Sequence, residues 1–217
     1  MPKTRHFVIA SAALVGSLVL TEVARAQEPR DFSADYALGR GAPLEARRRI
    51  GERAFAALPL MVELRTGFGT IVGLLGATAS FDLGSRLCVG AGFGANSAGI
   101  QLAAFGRVRP LVFISQRWAR LHAIGLELGY SRGPFKDFVV SPDSPASTYS
   151  YEGVQWLQPQ ITYETRSYRG FNLLGGLGVE IPFESHGYQC LVDSECGSHK
   201  ISPLPTITLG LGWATGL

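Results

Sequence analysis

The chain has 217 residues, 27 of them glycine, with 17% charged residues and a formal net charge of +3, a length that suits one or two domains. The slight basicity does not point to nucleic acid, because the arginines are scattered and lysine occurs only at Lys3, Lys136 and Lys200. A soluble β-protein coats its water-facing strand positions and edges with lysine and glutamate, and this chain does not.

The first residues read MPKTRHFVIASAALVGSLVLTEVARA. Lys3, Arg5 and His6 form a basic start, Phe7 to Leu20 an apolar run, and Ala24-Arg25-Ala26 an A-x-A site. Together they predict a secretory signal peptide over residues 1–26, cleaved after Ala26. The apolar run is shorter than the roughly 20 residues of a spanning helix, which disfavours an anchor. No cysteine follows the site, so a lipid-anchored form is not expected. No later stretch is continuous enough for a transmembrane helix.

Residues 27–57 form a second region, a flexible or partly helical N-terminal segment on the periplasmic side. QEPRDFSADYALGRGAP is turn-rich and weakly apolar, and LEARRRIGERAFAAL carries helix formers with Leu44, Ile50, Phe55 and Leu58 loosely periodic. The arginines at 47, 48, 49 and 53 suit a solvated helix face or, alternatively, an acidic partner or anionic lipid.

Residues 58–217 change period to two, and eight alternating segments follow. LMVELRTGFG sets Leu60, Val62, Leu64, Thr66 and Phe68 against Met61, Glu63, Arg65 and Gly67. LLGATASFDL sets Leu75, Ala77, Ala79, Phe81 and Leu83 against Gly76, Thr78, Ser80 and Asp82. LCVGAGFGA sets Leu87, Val89, Ala91 and Phe93 against Cys88 and three glycines. IQLAAFGRVR sets Ile100, Leu102, Ala104 and Val108 against Gln101, Ala103, Phe105, Arg107 and Arg109.

The fifth, AIGLELGYSR, opposes Ile124, Leu126, Leu128 and Tyr130 to Gly125, Glu127, Gly129 and Ser131. The sixth, WLQPQITYETR, opposes Leu157, Pro159, Ile161 and Tyr163 to Gln158, Gln160, Thr162, Glu164 and Arg166. Pro159 is its weakest fit, since proline donates nothing to a ladder. FNLLGGLGVEIPF places Phe171, Leu173, Leu177, Val179, Ile181 and Phe183 opposite Asn172, Leu174, Gly176, Gly178, Glu180 and Pro182. TITLGLGWA closes the series with Ile207, Leu209, Leu211 and Trp213 outward of two threonines and two glycines.

The links are short between strands two and three and between six and seven, and long between five and six and between seven and eight. Short turns at one end and long loops at the other suit periplasmic turns and outer loops, although the outer links near Thr70 and Ser97 are short. LVFISQRWARLH, between four and five, is long for a periplasmic turn and leaves room for strand four to continue. In an exported chain disulfides persist. Cys190 and Cys196 flank LVDSE and form a candidate clip, while Cys88 sits in a strand pattern as a buried, unpaired residue. A zinc site with His186 and His199 matches no common ligand spacing.

Eight alternating strands permit two inside-out arrangements. A soluble barrel turns the apolar set inward, whereas a transmembrane barrel turns it to lipid. Each segment has about the 9–11 residues a tilted spanning strand needs. Phe68, Phe93, Tyr130 and Phe183 fall toward one rim and Phe81, Tyr163, Phe171 and Trp213 toward the other, as interfacial aromatic belts do. An eight-stranded interior is just wide enough to be filled by side chains, so glycine opposite long side chains relieves crowding. The inward set would hold Glu63, Asp82, Glu127, Glu164 and Glu180 with Arg65, Arg107, Arg109 and Arg166, a nearly neutral lumenal network. An arginine in hydrocarbon would cost about 2–4 kcal/mol near the midplane. The lipid-facing arrangement is therefore expected.

These features resemble the small eight-stranded outer-membrane β-barrels of Gram-negative bacteria, the OmpA/OmpX type in the broad sense. The resemblance covers Leu60 to Ala214 and rests on strand count, glycine-rich alternation and the final TITLGLGWA. It implies an all-β, closed, up-and-down antiparallel transmembrane barrel in the cell outer membrane. The family's last strand is read by the barrel-assembly machinery through alternate apolar residues and a terminal aromatic. Leu209, Leu211 and Trp213 match that pattern, but the chain continues to Leu217.

No cofactor, metal or catalytic set is expected. A lipid-modifying site at the rim would need serine and histidine, and Glu184, Ser185 and His186 stand at that end of strand seven. Adjacent strand residues diverge, so they form no nucleophile–base pair by themselves and read as the start of an exposed loop. Asp193, Glu195 and His199 offer an alternative cation site in the last loop. The lumenal charges either rigidify the barrel or gate a narrow ion path. The expected protein is non-enzymatic, with outer-membrane lipid and the assembly machinery as partners and a structural or surface-interaction role through its long outer loops. No surface ligand is specified. The alternatives are a narrow pore, a rim enzyme and a soluble exported barrel that binds an apolar ligand.

Overall fold

The computed structural model describes residues 42–115, 120–141, 144–190 and 201–216. The predicted leader with Ala26, Cys196, Asp193, Glu195 and His199 lie outside these residues, and so do the side chains of His186 and Cys190. Helix α1 spans Leu44–Ala56. The strands are β1 Leu60–Phe68, β2 Leu75–Leu83, β3 Leu87–Asn96, β4 Gly99–Ile114, β5 Arg120–Ser141, β6 Ser144–Ser167, β7 Phe171–Cys190 and β8 Leu204–Thr215.

Each strand pairs antiparallel with the next, and β1 pairs with β8, closing an eight-stranded up-and-down barrel. Closure follows from the register: Leu60 lies opposite Thr215 and Phe68 opposite Ile207, so β8 covers the whole edge of β1. No strand edge within the barrel is left to template another chain. Cys88 is buried and free, as its strand position predicts.

Alternation decides the faces as expected. On β8, Leu209 is 58% exposed while its neighbour Thr208 is 1% exposed, and the pattern repeats around the wall. The eight rim aromatics all face outward, and Tyr130 and Phe183 approach to 6.0 Å between ring centres.

The glycines open the interior. A Cβ on Gly90 would lie 2.5 Å from the Phe105 ring, one on Gly129 would lie 2.3 Å from Ile71, and one on Gly212 would lie 2.6 Å from Glu63 Cγ. Real side chains do not tolerate such contacts. Gly175, on the outward face, has nothing within 4 Å of that position.

Two prolines are accommodated by local irregularity. The β4–β5 register shifts between Val108 and Leu111, which frees Pro110 from the ladder. Pro159 pairs with Leu128 on the β5 side, but the β7 ladder passes from Leu157 to Gln160 without a bridge there. The β6–β7 ladder is thus interrupted at Pro159, a residue with no N–H to donate.

Strand β4 runs on to Ile114, as the long link after it allows, and with β5 it forms a lip at the proximal mouth, where β1 begins. Two features differ from the expected layout. The segment between the fifth and sixth patterns is not a loop: β5 and β6 continue as one hairpin to Ser141 and Ser144, and β7 extends beside them to Cys190. Glu184 and Ser185 accordingly remain in β7 rather than opening a loop. The short link after β1 turns into the barrel, burying Thr70, Ile71 and Val72 at the distal mouth. Ile71 and Val72 join Ala103 and Phe105 in an apolar plug that alternation alone does not announce.

Helix α1 closes the proximal mouth. Ala54 and Phe55 pack on Val112, Ile114, Leu121 and Ala123 of the β4–β5 lip. The approach requires Gly51, whose Cβ would stand 3.0 Å from Phe113 Cα. Glu52 pairs with Arg86 at 2.6 Å, tying the helix to the β2–β3 turn. Arg47 donates to the Ile114 carbonyl at 3.3 Å, and Arg48 and Arg49 approach Glu45, so the arginine cluster is partly engaged with its own helix and the lip.

Candidate functional site: the charged interior

Period two places Glu63 and Arg65 together on the inner face of β1, Arg107 and Arg109 on β4, and Glu164 and Arg166 on β6. Asp82 of β2 and Glu127 of β5 face the same space. Strand twist and tilt bring these five strands' side chains to one axis.

Four arginines and four carboxylates form one connected network. Arg65 bridges Glu63 at 3.0 Å and Glu127 at 2.9 Å. Arg107 bridges Glu127 at 2.6 Å and Glu164 at 3.0 Å, with Glu63 at 3.9 Å. Arg109 reaches Asp82 at 2.7 Å and Glu164 at 2.9 Å, and Arg166 reaches Asp82 at 3.1 Å and Glu164 at 2.8 Å. Each carboxylate thus touches at least two guanidinium groups, and the set is neutral. A buried charge is tolerated only when so paired, because an unpaired one costs several kcal/mol.

Neutral donors complete the acceptor positions. Asn172 donates to Glu63 at 2.8 Å, Gln160 donates to Glu127, and Thr208 donates to Gln160 at 3.1 Å. Aromatic rings cap the layer on both sides. The Arg65 guanidinium lies 4.2 Å from the Phe105 ring centre, and Phe55 from α1 lies 4.4 Å from Arg166 and 4.9 Å from Arg109. Electropositive groups over ring faces are attractive in so dry a setting.

All nine predicted lumenal residues are buried inside the barrel, but only eight of them join the network. Glu180 stands apart toward the distal mouth, where its hydrogen-bond partner is Gln101. Phe105 is interior, as the strand pattern places it, whereas Phe55 and Ile71 are interior groups that the pattern leaves out. The signal for Phe55 is a lone aromatic beside the close-packing Gly51. Ile71 and Val72 form an apolar pair in the short link after β1, and the space they fill exists only in the closed barrel.

The network offers little chemistry beyond holding shape. Its bases are guanidiniums, which stay protonated, and its acids each face at least two of them. The side chains are at most 1% exposed. At the rim, Glu184 and Ser185 are exposed, and Glu184 accepts from Gln155 across the β6–β7 ladder.

The molecule therefore belongs to the closed eight-stranded antiparallel barrels, with ionised residues inside and aliphatic ones outside. No family model matches the chain, and no curated protein matches it.

Proposed function

We propose that the protein is an integral outer-membrane barrel of the small eight-stranded kind, non-enzymatic and non-conducting. It anchors a raised β5–β6–β7 sheet for interaction at the cell surface. The observation that carries this reading is the wall: exposed Leu, Val, Ile and Phe outside, and all nine predicted charges inside. In water that outer face would cost about 25 cal/mol for each Å² of apolar surface, whereas in hydrocarbon it costs nothing.

The closed barrel pairs each strand of the wall with a neighbour on both sides, the condition for crossing lipid with strands. Phe81, Phe171 and Trp213 toward the proximal rim and Phe68 and Phe93 toward the distal rim suit the two interfaces. The outward Leu209, Leu211 and Trp213 of β8 suit reading by the assembly machinery. The packed ion-pair layer, with Phe55 below and Ile71 above, argues against an ion path.

Membrane extraction and bilayer recording test the reading together. The protein should stay with outer membranes in alkaline carbonate and give no unitary currents. Release into the aqueous phase would overturn the membrane assignment, and discrete currents would overturn the sealed lumen.

A further inference from the structure

At the distal mouth a cleft of about 270 Å³ opens between the inward-turned link after β1 and the raised β5–β6–β7 sheet. Its lining includes Phe68, Gln101, Phe135, Lys136, Trp156 and Glu180. Glu180 is 5% exposed at the floor, held by Gln101, which itself donates to Ser131 at 2.7 Å. The wall above is aromatic: Phe135 and Trp156 meet edge to face with ring centres 5.0 Å apart. Lys136 is exposed at the rim.

Of the five interior carboxylates, four face arginines, whereas Glu180 has no ion-pair partner among the described residues. A carboxylate is acceptor-only when ionised, and its burial beside aromatic faces favours a cation that brings donors and positive charge. We propose that this cleft binds a small organic ammonium ion, its charge against Glu180 and its apolar part against Trp156 and Phe135. The volume lies at the small end of ligand pockets, which suits a single ring or short chain carrying one amine. Approach from outside the cell rests on the membrane reading above; the binding chemistry does not.

The test uses the full chain purified in detergent micelles, with calorimetric titration of 2-phenylethylammonium and its neutral isostere 2-phenylethanol. One site should bind the ammonium about tenfold tighter or more, the worth of one charge-assisted contact. Glu180→Gln should remove that preference, whereas Lys136→Gln should keep it. Should Glu180→Gln fail to fold, Ser97→Trp at the rim of the same cleft should abolish binding of both compounds. Equal affinity for the two probes, no saturable ammonium binding, a preference that survives Glu180→Gln, or binding that survives Ser97→Trp would each overturn the proposal. Because micelles stand in for the membrane, a negative result here leaves carbonate extraction as an independent measure of the membrane reading.

Discussion

Arg166 of β6 holds its guanidinium 4.4 Å from the ring centre of Phe55, a residue of the helix that precedes the barrel. The same guanidinium donates to the Leu58 carbonyl at 3.0 Å and pairs with Asp82 and Glu164. One arginine thus joins the closing helix, the entry into β1 and the charged layer.

Phe55→Ala should therefore do more than leave a void. Truncating a buried phenylalanine costs about 3–5 kcal/mol. Here it also uncovers two guanidiniums and frees the helix. Urea unfolding in micelles should show a lower midpoint, and trypsin should cut in the 47–53 arginine cluster faster than in the parent. Unchanged proteolysis would mean that the helix is held without Phe55.

Glu164 meets three arginines, more than any other acid in the network. Glu164→Gln keeps the shape but leaves three buried cations short of one charge, a loss of about 3–5 kcal/mol for breaking a buried pair. The variant should unfold at lower urea and migrate as an unfolded band after milder heating. Asp82→Asn, with two arginine partners, should cost less.

Gly90 and Gly175 separate the two sides of the wall. Gly90→Ala presses on the Phe105 ring and should destabilise by about 1–3 kcal/mol. Gly175→Ala enters open space on the outer face and should stay within about 0.5 kcal/mol of the parent. A double-mutant cycle with Phe105→Leu should recover part of the Gly90→Ala loss, because the smaller side chain vacates the contact.

Much of this architecture was legible in the residues, and the reason is the period of two. Alternation marks each strand and assigns every side chain to a face, which is how Glu63, Arg107 and Glu180 could be placed inside together. It carries no information on height along the axis or on partner choice, since these depend on the tilt and stagger of the closed barrel. Hence Glu180 was grouped with the other acids although it sits beside Gln101 instead. Polar, proline-containing stretches such as SPDSPAS read as loops, yet the β5–β6 hairpin runs through their neighbourhood because register propagates from the barrel wall below. The Phe55 and Ile71 plugs were hidden for another reason: each fills a space that exists only once the barrel closes.

The account stands or falls on what the outer wall touches, and Trp213 reports on it directly. It is 55% exposed on the outer face, whereas Trp156 is buried in the distal cleft wall. Trp118 and Trp156 are replaced by phenylalanine, and the protein is reconstituted into vesicles of lipids brominated at successive acyl-chain depths. The prediction is clear quenching of Trp213, strongest for bromines near the headgroup end of the chain, as befits an interfacial ring. Emission untouched by bromine at any depth, from a chain that stays soluble without detergent, would contradict the lipid-facing wall.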